Sequence, residues 1–443
     1  MKAILFLFIC ITYISAQTYY VDKNPNNNAD FHTIEEAIDT MQAGDTILIK
    51  AGTYRERVYI EKSGTRANPI IIKNYANDKV IIDGTGITWN GEWGGLFQID
   101  RGRHIKISGL KIQHSTHAGI FLDNAHYIDI KNMQTYDTYS SGVGVWNSSY
   151  VEVQGNDVNL ACNDGGQECI TISDSHHVDV TYNEVHNSGP GTNGGEGIDI
   201  KQGSHDVAVK YNKVHHIYGS SRPGLYADAW DVHTHHIIFE SNKVHHVGGN
   251  AMSVASEMGG LLEYVSFVNN IIYNNADGGL IVGGWTADGQ VVPSNPVEHI
   301  NIINNTFYNT GGDGIYIDNI YAKDINIYNN IIQSRDKVEL PLYIKEGVNL
   351  SEVDIRRNLV DSELYSYGQN SEIVAYPLFV DAAKGDFHLQ FNSLAINAGK
   401  KSIFSLFDYE KNSRLEDGLW DIGAYEYQGS NVAFLIPILY LLM

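Results

Sequence analysis

The chain predicts an all-β fold, a right-handed parallel β-helix (solenoid) with an N-terminal capping helix, and three observations predict it. A short alternating strand followed by Asn recurs about every 28 residues, the mark of a repeat architecture. Between the strands no stretch keeps apolar residues at helical spacing long enough to build a helical solenoid. One helix-like segment stands ahead of the first repeats, where an end cap belongs.

The elements follow in order. Met1 and Lys2 precede an apolar run, Ala3 to Ile14, and Ser15-Ala16 supplies the small residues of a cleavage site, so residues 1–16 read as a secretory signal peptide. The β-helix is expected over residues 17–428. Thr33 to Met41 has the spacing of a short amphipathic helix, with Thr33 as N-cap and Glu36 three residues on, ahead of the strand Thr46 to Ile49. Such a helix would cover strand edges at the N-terminal end. Then come the repeats: Val151-Glu152-Val153 leads to Asn156, Val178-Asp179-Val180 to Asn183, Val207-Ala208-Val209 to Asn212 and Ile237-Ile238-Phe239 to Asn242. The series continues to Asn270, Asn305, Asn330 and Asn358.

Each unit is one coil whose strand pairs with its equivalents above and below, like residues stacking at about 4.8 Å. The Asn residues then form a column of carboxamides bonded to one another, each Asn also taking the left-handed turn of a corner. A second strand per coil points apolar pairs inward: Ile120/Leu122, Val143/Val145, Ile170/Ile172, Ile198/Ile200, Leu225/Ala227, Met252/Val254, Ile315/Ile317 and Leu342/Ile344. Residues 429–443 form an apolar tail behind Gly429-Ser430-Asn431, part of the pattern of a lipid-anchor signal and too short to span a bilayer.

Composition narrows the function classes. A formal charge of −22 at pH 7 repels phosphate backbones and argues against nucleic acid as the partner. Cys10 leaves with the signal peptide, and Cys162 and Cys169 lie in one loop, where a local disulfide is expected in an oxidising compartment; two free thiols are the alternative. Asn147-Ser148-Ser149, Asn304-Asn305-Thr306 and Asn349-Leu350-Ser351 fit the glycosylation sequon. The expectation is a secreted or extracellular monomer, held at the cell surface if the tail is exchanged for a lipid anchor.

Two sets of residues carry a family resemblance. Gly44-Asp45-Thr46-Ile47 through Ala51-Gly52-Thr53-Tyr54 resembles the opening of proteins of the pectate-lyase-like β-helix superfamily. Asp386-Phe387-His388-Leu389, Ala395-Ile396-Asn397-Ala398-Gly399 and Asp421-Ile422-Gly423-Ala424-Tyr425-Glu426 resemble the closing segment of many such secreted β-helices. The resemblance implies a polysaccharide groove along one sheet, on a fold that hosts lyases, epimerases and glycosidases, so the reaction must be read from the site.

Outward residues of three consecutive coils concentrate the chemistry. Asp199, Tyr226 and Ser253 share one column, and Lys201, Asp228 and Ala255 the next. Glu196, Asp231, His233 and Glu257 lie nearby in sequence. An acid-rich patch with one Lys suits β-elimination from a uronic acid: calcium held by Glu196 and Asp199 binds the substrate carboxylate, and Lys201 removes the proton beside it. Lys201 would need a lowered pKa, which Asp199 and Asp228 oppose without a cation; the bland alternative is a Lys201–Asp228 ion pair.

The Glu196-x-x-x-x-Lys201 spacing resembles the calcium-ligand and base arrangement of the chondroitinase and alginate-lyase branch, with Gly194 in place of a further Glu. Asp231-Val232-His233 with Glu257 is similar to the Asp-Pro-His element and later Asp of mannuronan C5-epimerases, with Asp228 where that family has Tyr and Asn274 to Asp277 where it has Arg-His. A third enzyme reading is a metal-independent glycosidase using two of Asp228, Asp231 and Glu257. Non-catalytic glycan binding or a structural role at the cell surface is the fourth. Trp146, Tyr226, Trp230 and Trp285 are candidate sugar platforms, and Arg222 is a candidate cation for substrate. The His186, His215 and His245 column is read as a repeat position that tolerates His.

Overall fold

The computed structural model describes residues 16–429 except 92, 164–165, 190–193, 288–290, 336–339, 363–371 and 416–417. The expected signal peptide and apolar tail, save Ala16 and Gly429, lie outside the described residues. Three long parallel sheets wind around one core. The first has 13 strands running from Thr18–Val21 to Val353–Arg356, the second 11 from Val58–Ile60 to Leu342–Ile344, and the third 13 from Gly52–Tyr54 to Ile373–Val374. Every strand pairs with its equivalent one coil on, so the chain is a β-helix.

The inward pairs of the second strand stack in register as expected. Ile198 and Ile200 pair with Leu225 and Ala227, which pair with Met252 and Val254. All of these are buried in one continuous core cluster. Leu280–Val282 adds a further coil between Met252–Ala255 and Ile315–Ile317, which the repeat reading passed over. Ile34–Thr40 is helical, with Thr33 and Glu36 forming the capping box, and its Ile34, Ala37 and Ile38 join the core.

The Asn column forms as a ladder. Asn242 N and Nδ2 both donate to Asn270 Oδ1, at 2.9 and 3.0 Å, and Nδ2 also reaches Val209 O at 2.8 Å. The same pattern runs from Asn156 to Asn358. One expectation needs correcting: the left-handed residue of the corner is not the ladder Asn but the residue before it. Tyr182, Tyr211, Ser241, Asn269, Asn304, Asn329 and Arg357 all have φ between 55° and 60°. Turning one residue early swings the following carboxamide into the core, where it is dry and fully paired; that pairing offsets the roughly 1–2 kcal/mol a side chain costs in this conformation.

Beyond Ile373–Val374 the chain makes a short antiparallel hairpin, Phe379–Asp381 with Asp386–Leu389. It then runs back along the corner. Asn304 Nδ2 donates to Asp421 O and Gly423 O, Asn269 Nδ2 to Phe407 O, and Lys411 Nζ to Tyr182 O–H. Arg414, fully buried, is paired with Glu426 at 2.6 Å and anchors this strap. Among the described residues no helix is long and apolar enough to cross a membrane.

Candidate functional site

Alternation in Ile198-Asp199-Ile200-Lys201 drives both Ile side chains into the core and turns Asp199 and Lys201 outward. Outward is not exposed here. Asp199 is only 2% and Asp228, one coil on, 4% exposed, because neighbouring side chains close over them. Lys201 Nζ donates to Glu168 Oε1 at 2.7 Å and to Gln167 Oε1 at 3.2 Å, stands 4.0 Å from Asp199, and lies 6.0 Å from the centre of the Trp146 ring. Glu196 accepts from Arg222 Nη1 at 3.2 Å.

Four carboxylates therefore share two cations. Glu168, Glu196, Asp199 and Asp228 face Lys201 and Arg222, and the acids bear the imbalance. Burial, then Glu168, pushes Glu196 up to about 7. Burial, then Glu257, pushes Asp228 up to about 7 against the Trp230 and Glu257 N–H groups that it accepts. Asp199 is raised well above its ordinary value by burial and by Glu168. Burial alone would lower the Lys201 ammonium, but Glu168 and then Asp199 outweigh it and hold its pKa above the ordinary value. The expected structural partner Asp228 is replaced by Glu168.

One coil further on, Tyr226 O–H donates to Glu257, and Trp285 Nε1 donates to the same Glu257 oxygen at 3.1 Å. Burial and the charge of Asp228 raise the Tyr226 hydroxyl well above its ordinary value, so it keeps its proton. Lys201, Asp199, Glu196, Asp228, Tyr226, Glu257, Arg222, Trp146 and Trp285 thus belong to one neighbourhood.

Two predicted residues do not join it. Asp231 and His233 lie exposed on the turn after Leu225–Asp228, and His233 Nε2 is paired at 2.9 Å with Glu263 of the first sheet. The turn bends away because Trp230, left-handed at φ 51°, is clamped by Met258 and Gly260 N–H groups on its carbonyl. Trp230 is 37% exposed, and it reaches the carboxylates through its backbone N–H, which donates to Asp228 Oδ1 at 2.7 Å. Cys162 and Cys169 lie buried beside each other, and Cys162 Sγ donates to Gln167 O at 2.7 Å. That contact directs the sulfur at the loop backbone.

Glu168 and Gln167 were missed. Register was the available signal: Glu168 stands two residues before Ile170 as Glu196 stands two before Ile198, and Cys169 N bonds Glu196 O at 2.8 Å.

The donor set can be tested against calcium. Glu196 Oε2 and Asp199 Oδ1 are buried and have no hydrogen-bond partner, which is what a two-carboxylate edge of a cation site leaves when protein donors do not satisfy it. No three His, Cys, Asp or Glu side chains among the described residues form a metal-holding group, so further oxygens would have to come from water and substrate.

Comparison with known proteins agrees with this architecture. Residues 12–203 match the family described as Pel9A-like, right handed beta helix region, and residues 196–368 match the right handed beta helix region family. An uncharacterized protein, YwoF of Bacillus subtilis, is 32% identical over 133 residues, 27% of this chain and 28% of its own. Pectate lyase PEL9 of Emericella nidulans is 39% identical over 59 residues, 13% of this chain and 14% of its own. Both matches span less than a third of the relative's length. The crystal structure of pectate lyase Pel9A superposes with a TM-score of 0.55 at 16% identity, covering 94% of this chain and 98% of that one. Adjoining matches to two right-handed β-helix region models, each over less than half of the chain, on a solenoid of three parallel sheets, support a β-helix of the pectate-lyase-like superfamily.

Proposed function

We propose that the protein is a polysaccharide lyase that cleaves a uronic-acid-containing polymer by β-elimination at Lys201. The observation that carries the reading is the pair of unpartnered buried carboxylate oxygens, Glu196 Oε2 and Asp199 Oδ1, beside a Lys held by Glu168. A calcium ion on those oxygens would bind the uronate carboxylate and make the adjacent C5 proton acidic. Lys201 Nζ is the base for that proton. To act it must first be neutral, and because Glu168 at 2.7 Å stabilises the ammonium, the proton has to be lost to solvent before turnover. As C5–H breaks, the C4–C5 double bond forms and the C4–O bond opens, its oxygen collecting a proton from solvent. Tyr226 and Trp285 fix Glu257 at one side of the site, and Arg222 fixes Glu196.

The test is to incubate the mature chain with acidic and neutral polysaccharides, with calcium or with chelator, and follow ultraviolet absorbance of unsaturated uronates alongside reducing ends. Absorbance and new ends together support the lyase, and calcium dependence supports the ion. New ends without absorbance would overturn it in favour of a glycosidase. One observation favours that second reading: Asp228, buried beside Glu257 and raised to about 7, has the form of a general acid. C5-epimerisation through Asp231 and His233 loses ground, since both stand outside the cluster.

A further inference from the structure

Toward the N-terminus from Lys201 the same face of the β-helix opens into a cleft of about 540 Å3, within the roughly 300–1,000 Å3 typical of small-ligand sites. Its walls are Trp93, His117, Phe121, Tyr139 and Trp146, and Gln167 closes the end nearest Lys201. Trp93 and Trp146 stand 5.1 Å apart at 52°, a wedge with Phe121 packed behind it 6.5 Å from Trp146. Trp93 is 55% exposed. Wedged aromatic rings offer faces to the C–H bonds of a pyranose, while hydroxyls such as those of Tyr139 and Ser140 stand ready for ring hydroxyls.

The two halves of the groove differ in charge. None of the described residues lining the cleft is Asp, Glu, Lys or Arg, whereas the adjoining coils gather Glu168, Glu196, Asp199, Asp228 and Lys201. The nearest ammonium, Lys201, is already paired with Glu168. A carboxylate bound at the cleft would lose water, and the guanidinium beside Gly94, Arg57, already donates to Gln98 Oε1 at 2.6 Å and Gly95 O at 3.2 Å. Gln167 belongs to both halves, lining the cleft and accepting from Lys201 at 3.2 Å, as does Trp146.

We infer that the cleft is a saccharide subsite for an uncharged sugar unit, so that the preferred chain carries a neutral residue beside the uronate held at Lys201. The inference rests on the reading of the Lys201 site as a saccharide site. It makes the substrate a heteropolymer, or a polyuronate whose carboxyl is esterified at that unit.

The experiment is binding rather than turnover. Full-length Lys201→Met protein is applied to an array of neutral, mixed neutral–uronate and homopolymeric uronate oligosaccharides, and hits are titrated with Trp146→Ala and Trp93→Ala added. The expected result is retention of neutral or mixed glycans, with binding weakened at least about tenfold by either Trp change, in line with loss of an aromatic anchor. Retention of homopolymeric uronates alone, neutral-glycan binding indifferent to both changes, or no binding would each overturn the inference. Trp93 is exposed enough that its removal leaves the core intact, so loss in Trp93→Ala cannot be a folding failure. Glycan binding by Lys201→Met together with no ultraviolet product from the unaltered protein on the same glycans would instead remove the lyase reading and leave the subsite, which separates the two failures.

Discussion

At the scale of single residues, Lys201 is the centre of the site, and its charge state is decided by Glu168. Lys201→Met keeps the length of the side chain and removes the base, so turnover should fall by about 10²–10⁴-fold; the buried Glu168 carboxylate it leaves unpaired should also lower the melting temperature, read in the same samples. Glu168→Gln removes the largest charge that holds the Lys201 ammonium up. A base acts when neutral, so the rate rises with pH through its pKa; lowering that pKa moves the rising limb of the kcat profile to lower pH. A purely structural Glu168 would change stability and leave the limb in place. Legibility is uneven at this scale. Lys201, Asp199 and Glu196 could be found because alternation fixes which side they face, but Glu168 sits in an irregular loop whose register only its neighbour coil reveals.

At the scale of elements, the ladder and the imidazole stack make the next predictions. Asn242→Ala would leave Val209 O, Asn212 N and Asn270 Oδ1 short of partners, at about 1–3 kcal/mol per unsatisfied buried group. A loss of about 3 kcal/mol or more is expected, read as a lower urea midpoint at unchanged m-value. His245 stacks on His215 at 4.9 Å, and burial, then the charge of His215, lowers it to about 3 from an ordinary 6.5. For a His whose folded pKa is depressed, its share of stability is complete above 6.5 and is lost as pH falls toward 3. Acid unfolding should therefore be less steep in His245→Tyr, a change the column already makes at Tyr273. The stack itself was readable from the repeat; its protonation state depends on burial beneath the third sheet's neighbours.

At the scale of the whole molecule, the site lies mid-solenoid, where each coil is held by the coils on both sides. If calcium binds Glu196 and Asp199, saturating calcium should raise the melting temperature, by about 2.7 kcal/mol of stability at a hundredfold excess over Kd. Asp199→Asn should abolish that shift and also raise the melting temperature measured in chelator, because it removes a buried carboxylate with an unpartnered oxygen. A calcium-independent melt in the unaltered protein would remove the ion from the mechanism. The strap from Phe379 to Gly429 belongs to this scale too, since Arg414 and Lys411 join coils that are distant in sequence.

The sequence by itself determined the β-helix, the inward pairs, the Asn column and the helix Ile34–Thr40, because each rests on periodicity, capping or stacking that repeats locally. Tertiary structure decided the rest. It placed Glu168 rather than Asp228 on Lys201, turned Asp231 and His233 out of the site and put the corner's left-handed residue before the Asn. The physical reason is the same in each case: loops between coils have no period, so their side chains are placed by the neighbouring coils they touch and not by their own spacing.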